Sequence, residues 1–87
     1  MEDERRKILG RLRRIEGQIR GLQRMVEEQA PCVDVLTQVS AVTAAMKKTG
    51  NAIIRANMNR CMTEASGDAG NGMEDFQTAL TRYIDLA

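Results

Sequence analysis

Histidine is absent from this 87-residue chain, tryptophan is absent as well, and phenylalanine and tyrosine occur once each. Without an imidazole the chain lacks the commonest metal ligand and the commonest general base of proteins. With so few aromatic rings, its core must be built from aliphatic and methionine side chains on helical stripes, which bury little area in so short a chain. We therefore expect a single small domain, residues 1–87, that forms oligomers.

The chain also lacks a long apolar run, and it begins with charged residues from position 2 to position 7. A membrane-spanning helix needs about 20 predominantly apolar residues in a row, and a signal peptide needs an apolar segment after its charged start. We expect neither of these, no membrane partner, and a cytoplasmic location. In a reducing compartment the two cysteines, Cys32 and Cys61, are expected to be reactive or metal-binding, not a structural disulfide.

Acidic residues are scarce in one part of the chain, although the net charge of the whole is only +1. Residues 5–24 contain one acid, Glu16, and eight bases, which gives this segment a charge of +7. The bases are Arg5, Arg6, Lys7, Arg11, Arg13, Arg14, Arg20 and Arg24. A basic segment this dense predicts a polyanion partner, above all nucleic acid. The sequence has neither a helix-turn-helix pattern nor zinc-finger spacing, which excludes those modes of DNA binding.

Apolar residues recur at helical spacing along most of the chain. The seam of the first helix advances in steps of four and three, at Ile8, Leu12, Ile15, Ile19, Leu22 and Val26. A short connection from Glu27 to Ala30 follows, and Pro31 suits the first turn of a long helix that reaches about Thr63. The apolar positions of that helix are Val35, Val39, Val42, Met46, Ile53 and Ile54. The first two helices should pack as an antiparallel hairpin.

A third, shorter helix is expected from about Met73 to Leu86, with Asn71 as its cap. The segment from Ser66 to Gly72 is rich in turn-forming residues and should end the long helix. The apolar stripe of the third helix is Phe76, Leu80, Tyr83 and Ile84. The sequence thus predicts an all-α protomer of three helices with a long central helix.

The two cysteines lie at opposite ends of the predicted long helix, which Gly50 weakens without breaking it. They are 29 positions apart, or about 43 Å along a continuous helix, so one copy cannot bring them together. Twenty-nine residues are close to eight whole turns, so both thiols should share a face. If two copies pack antiparallel about an axis near Met46 and Lys47, Cys32 of one copy falls beside Cys61 of the other.

Two runs of the sequence closely resemble the CsoR/RcnR family of copper-sensitive operon repressors. They are Arg11-Leu12-Arg13-Arg14-Ile15-Glu16-Gly17-Gln18-Ile19-Arg20-Gly21-Leu22 and Cys32-Val33-Asp34-Val35-Leu36-Thr37-Gln38-Val39-Ser40-Ala41-Val42. The resemblance covers roughly residues 5–65. It implies a three-helix protomer, an antiparallel dimer of long helices, and a tetramer made of two such dimers.

The same resemblance implies a repressor that binds operator DNA through a basic surface and releases it when an inducer reacts. It carries DNA contacts onto Arg11 and onto the Lys47 and Lys48 pair, and we add Arg14 on charge and position alone. A repressor of this kind is not an enzyme, and we expect no catalytic residues.

The inducer site is where this chain departs from the copper sensors of the family, which combine a cysteine of one protomer with a His-x-x-x-Cys pair of the other. Cys32 and Cys61 match the two cysteines, but Asn57 occupies the histidine position. An amide oxygen is a hard, weak ligand for Cu(I).

This cysteine pattern is most similar to the CstR branch of the family, whose paired cysteines react with persulfides or polysulfides. The resemblance implies reactive sulfur species as the inducer, di-, tri- or tetrasulfide links between protomers, and no cofactor. Because Cys32 stands at the positive end of a helix dipole, we assign it the attacking role and Cys61 the resolving role.

The sequence leaves several alternatives open. Cu(I) held by the thiolates of Cys32 and Cys61, with Met58 or Met62 as a third soft donor, is the first of them. A formaldehyde sensor of the same family would need an N-terminal amine or proline and a histidine that this chain lacks. A further alternative is that the cysteines are only small buried hydrophobes. Another is a redox enzyme that uses the two cysteines, but the sequence contains no CxxC pair and no cofactor motif. A structural helical oligomer would bind no operator.

Overall fold

The structure is a computed structural model that describes residues 2–67 and 72–85, with the side chains of residues 58, 59, 61–67, 72 and 73 left undescribed. These ranges form three α-helices, α1 (Glu2–Glu27), α2 (Cys32–Gly67) and α3 (Gly72–Asp85), and contain no strand. The predicted all-α class with a long central helix is confirmed. The helices divide between two compact units, Met1–Ile53 and Ile54–Ala87, and the boundary falls within α2.

Helix α1 buries Ile15, which is 4% exposed, and half-buries Ile8, Leu12 and Leu22 as predicted. The predicted seam is wrong at Ile19 and Val26, which are 43% and 62% exposed. The half-buried positions near them are Gln18 and Met25. From Ile8 the predicted seam takes five steps over 18 residues, which keeps it parallel to the helix axis. The observed one takes five steps over 17 and therefore winds around α1, as the contact line of two crossing helices does.

The connection between α1 and α2 is a Schellman motif with an unusual residue at its centre. Gln29 has a positive φ of 55°, in the position where helices most often place glycine. The Gln29 N–H donates to the Val26 carbonyl at 3.2 Å, and the Ala30 N–H donates to the Met25 carbonyl at 2.9 Å. The N–H groups of Asp34 and Val35, in the first turn of α2, then donate to the Pro31 carbonyl. The chain therefore reverses within the predicted interval, and α1 and α2 run antiparallel.

Helix α2 carries two adjacent stripes where the sequence suggested one. The half-buried or buried stripe is Val35, Gln38, Val42, Ala45 and Thr49. The second stripe, also in steps of four and three, is Cys32, Leu36, Val39, Thr43 and Met46, all of them exposed. Val39 and Met46, which the sequence places with Val35 and Val42 among the apolar positions of α2, lie on the exposed stripe at the flank of the buried face.

The backbone of α2 passes through Gly50 as a helix, as predicted, but departs from helical geometry at Asn57, where φ is −117° and ψ is 17°. The pattern of residue types does not predict this break. Counting whole turns from Cys32 to Cys61 assumes regular geometry at every residue between them, and Asn57 departs from it. Because the side chain of Cys61 lies outside the described residues, the shared face of the two thiols stays a prediction. The helix also runs to Gly67, beyond the predicted end near Thr63.

Helix α3 matches its predicted position, with Phe76, Leu80 and Tyr83 half-buried and Ile84 58% exposed. The predicted cap Asn71 and the end of the predicted helix at Leu86 lie outside the described residues. Throughout the described part of the chain, no helix is apolar over enough of its length to cross a bilayer.

Candidate nucleic-acid interface and sensing thiols

A groove of about 290 Å³ lies between α1 and α2 in the Met1–Ile53 unit, and we call it the cationic groove. Its lining residues are Arg11, Arg14, Ile15, Gln18, Ala41, Ala44, Ala45, Lys48 and Thr49. The antiparallel hairpin explains this set, because residues equally far from the middle of the connection, such as Arg11 and Lys48, lie level with each other. The small alanine side chains of α2 leave the space open.

Three of the predicted DNA contacts, Arg11, Arg14 and Lys48, therefore meet at one site although they come from two helices. All three residues are exposed, and the described part of the chain contains no ion pair for any of them. Positive charges that converge without neutralising partners give the groove a potential that attracts anions.

Lys47, the fourth predicted DNA contact, does not line the cationic groove and is half-buried. Consecutive residues of a helix point about 100° apart, so Lys47 and Lys48 cannot face the same way. The predicted pair is thus divided by the geometry, and Lys48 is the member that joins the arginines of α1.

Gln18 also lines the cationic groove, and sequence reasoning missed it. Its side-chain oxygen Oε1 is buried and has no hydrogen-bond partner in the described structure. Gln18 precedes Ile19 and lies outside the predicted apolar seam of α1, so the pattern of residue types offered no signal for its burial.

Other bases of the 5–24 segment lie at the beginning of α1. An open depression of about 420 Å³ is lined there by Glu2, Arg5, Arg6, Leu9 and Arg13. Arg5 and Glu2 form an ion pair at 3.5 Å between two well-exposed side chains. Such a pair contributes little to stability, so these bases remain available to an external polyanion.

The predicted sensing thiols belong to different units of the chain. Cys32 is the first residue of α2 and has an exposed, free thiol. Cys61 lies on α2 in the Ile54–Ala87 unit, and its side chain lies outside the described residues. Within the described part of the chain, no cluster of three or more His, Cys, Asp or Glu side chains could hold a metal ion.

The sequence matches one family model, described as metal-sensitive transcriptional repressor, over residues 4–82. The chain is 45% identical to the copper-sensing transcriptional repressor RicR of Mycobacterium tuberculosis over 78 residues, 85% of this chain and 81% of that protein.

Solved structures are similar as well. The copper-sensing repressor CsoR with Cu(I) from Geobacillus thermodenitrificans superposes with a TM-score of 0.77 at 32% identity, covering 97% of this chain and 90% of the other. The nickel-responsive transcriptional regulator InrS superposes with a TM-score of 0.65 at 39% identity, covering 90% of each chain.

Proposed function

This chain belongs to the CsoR/RcnR family of metal-sensitive transcriptional repressors, and from that membership we propose that it binds operator DNA through the cationic groove and releases it when an inducer reacts at its cysteines. The observation that carries the DNA-binding half is the convergence of Arg11, Arg14 and Lys48 from two helices on one open site. Operator DNA supplies the regularly spaced phosphates that such a surface fits.

Further basic residues outside the cationic groove support a partner as large as operator DNA. The depression at the start of α1 adds more arginines, and Lys47 lies next to Lys48 in the sequence. Charge contacts to phosphates release counterions, so binding should weaken steeply with salt, by about 0.9 in the logarithmic slope for each phosphate contacted.

A second copy of the chain completes the proposed inducer site. Leu36, Val39 and Met46 of the exposed stripe are 65%, 39% and 45% exposed, and apolar positions at heptad spacing are typical of a helix that packs against another helix. Cys32 is the first residue of the same stripe. An antiparallel partner helix on this stripe would cover the apolar side chains and bring its own Cys61 toward Cys32.

Cu(I) is the first candidate inducer, because RicR and the Geobacillus CsoR are both named as copper-sensing. Thiolates are the soft ligands that Cu(I) prefers, and Cys32 of one copy with Cys61 of the other would supply two. In the copper sensors a histidine is the third ligand. Here Asn57 occupies that position and offers only an amide. Cys32, at the N-terminus of α2, and Cys61 of the second copy would hold the metal, which would link the two copies across their interface.

Nickel, which InrS senses, does not suit this donor set. Imidazole nitrogen is a typical protein ligand for Ni(II), and no histidine occurs in the sequence. We therefore do not extend nickel sensing to this chain.

Sulfane sulfur is the second candidate inducer, and the specific observation in its favour is Asn57 with two cysteines and no histidine anywhere in the chain. The Cys32 thiolate would attack the outer sulfur of a persulfide RS–SH, forming Cys32–S–SH and releasing RS⁻. The Cys61 thiolate of the second copy would then attack the Cys32 sulfur, forming an interprotomer disulfide and expelling HS⁻. On a longer chain, Cys32–S–S–SH or Cys32–S–S–S–SH, attack of the Cys61 thiolate on the sulfur next to the terminal one would give a trisulfide or tetrasulfide and expel HS⁻.

Intact-protein mass spectrometry under non-reducing conditions, paired with gel shifts on the chain's own upstream DNA, tests this proposal. Copper-loaded protein without a covalent link, together with loss of DNA binding, would support Cu(I). Covalently linked dimers that contain extra sulfur, with the same loss, would support sulfane sulfur. Cys32→Ala and Cys61→Ala should each bind DNA and fail to respond. A chain that does not bind its upstream DNA in the reduced state would refute the repressor assignment.

A further inference from the structure

Leu9 is an apolar side chain set among arginines, and it belongs neither to the buried face of α1 nor to the cationic groove. It is 41% exposed. It lies in the open depression at the start of α1, whose other lining residues are Glu2, Arg5, Arg6 and Arg13. A single exposed leucine is ordinary on a protein surface. Three guanidinium groups around it, however, limit what can cover this one.

The other exposed large apolar residues of α1 do not continue toward Leu9. Among the described residues they are Ile19 and Val26, which lie about 80° and 100° around the helix from Leu9. A second copy packed on Ile19 and Val26 would therefore cover a different side of α1. A second copy packed on Leu9 would have to desolvate the arginines beside it, which costs free energy unless each of them gains an anionic partner.

We propose that Leu9 makes an apolar contact with operator DNA, between phosphates that the arginines of the depression bind. DNA offers such a side chain the carbon atoms of its deoxyribose rings and, at the edge of the major groove, the 5-methyl group of thymine. The proposal rests on the proposed function. It goes further in assigning a part in DNA recognition to a side chain that carries no charge.

The order of residues along α1 fits a DNA strand that passes over Leu9. Arg6 precedes Leu9 by three residues and Arg13 follows it by four, so the three side chains are neighbours on one side of the helix. Both arginines are exposed, and the described part of the chain contains no ion pair for either. They are about 10 Å apart along the helix axis, or about three phosphate steps of one DNA strand. The sugars between those phosphates would lie opposite Leu9.

The test is fluorescence anisotropy of the full-length, reduced protein with its own upstream DNA, repeated over a series of KCl concentrations. Leu9→Ala should weaken binding about fivefold for each copy that contacts the DNA, because the 41% of Leu9 that is exposed would no longer be covered. Since no charge is removed, the slope of log affinity against log salt should stay the same. Arg6→Ala should instead make that slope shallower, by about 0.9 for each lost phosphate contact.

Two control variants accompany Leu9→Ala. Leu9→Met keeps an apolar side chain of similar size and should bind DNA like the unaltered chain. Val33→Ala truncates an apolar side chain that is 74% exposed at the start of α2, outside the depression, and should also leave DNA binding unchanged. An altered oligomeric state of Leu9→Ala in analytical ultracentrifugation would assign Leu9 to a contact between copies and overturn the proposal.

The DNA itself distinguishes the two apolar groups. If upstream DNA with deoxyuridine in place of thymidine abolishes the difference between Leu9→Ala and the unaltered chain, the contact is with the thymine methyl group. If the difference persists, the contact is with deoxyribose, and both results support the proposal. Inorganic polyphosphate has neither group, so an equal loss of polyphosphate binding in Leu9→Ala would overturn it.

Failure of this proposal is distinct from failure of the proposed function. If Leu9→Ala binds upstream DNA as tightly as the unaltered chain does, the apolar contact is refuted and the repressor assignment stands. If the unaltered chain does not bind its upstream DNA, the repressor assignment is refuted and the Leu9 contact with it.

Discussion

Replacing Ile15 by alanine removes the one apolar side chain that is almost fully buried among the described residues, at 4% exposure. Ile19 offers a matched control, because it is the same residue type one helical turn later on α1 and is 43% exposed. The two substitutions change helix propensity equally. Their difference in unfolding free energy therefore measures burial alone.

The expected magnitudes follow from the exposures. Truncating a buried isoleucine to alanine costs about 3 kcal/mol, including the cavity that remains. Ile19 loses just over half of its surface on folding, so Ile19→Ala should cost about 1 kcal/mol. A chain of this length has a total stability of about 4–13 kcal/mol, which makes Ile15→Ala a severe perturbation and Ile19→Ala a mild one.

Urea unfolding followed by circular dichroism measures both values, and it should be run at a low and a high protein concentration. If a second copy covers Ile19, the cost of Ile19→Ala should grow with concentration, because association then adds to stability. The cost of Ile15→Ala should dominate at low concentration. If Ile15→Ala and Ile19→Ala lowered the unfolding free energy equally at low protein concentration, the difference in exposure between Ile15 and Ile19 would be refuted.

Gly10→Ala and Gly21→Ala should each raise the free energy of unfolding by about 0.5–1 kcal/mol, because an added Cβ meets nothing within 4 Å and alanine favours the helix; a lower melting temperature would contradict this. Gln29→Gly should raise the free energy of unfolding by up to about 1 kcal/mol, because glycine adopts the positive φ of this position without strain. A lower melting temperature for this variant would contradict the prediction. Asn57→His should tighten Cu(I) binding, measured by competition with a chromophoric chelator, since it adds an imidazole donor; unchanged affinity would place residue 57 away from the metal.

Most of the architecture followed from periodicity. The positions of α1 and α3, the short connection, and the passage of α2 through Gly50 all agree with the structure. The errors have one physical origin, because a sequence shows which residues are apolar but not which of two adjacent faces packs within the chain. Ile19 of α1 and Val39 and Met46 of α2 are apolar and exposed in the single chain.

The site was predictable to a similar degree. The resemblance indicated Arg11 and Lys48, and charge and position added Arg14, but only the hairpin register shows that the three meet. Gln18 was missed because its importance comes from an unsatisfied buried oxygen, which no pattern of residue types reveals. The break at Asn57 was also invisible, since nothing in the local sequence forbids a regular helix there.

The hairpin of α1 and α2 places Cys32 at its tip and Lys48 in the cationic groove, sixteen residues along the same helix and thus about 24 Å away. A rod of that length acts as a lever. Tilting its tip by about 10° would move the far end by about 4 Å, close to the rise of about 3.4 Å between successive phosphates of one DNA strand. A modest pull at the thiol would therefore be enough to set the arginines out of step with the double helix, without any unfolding.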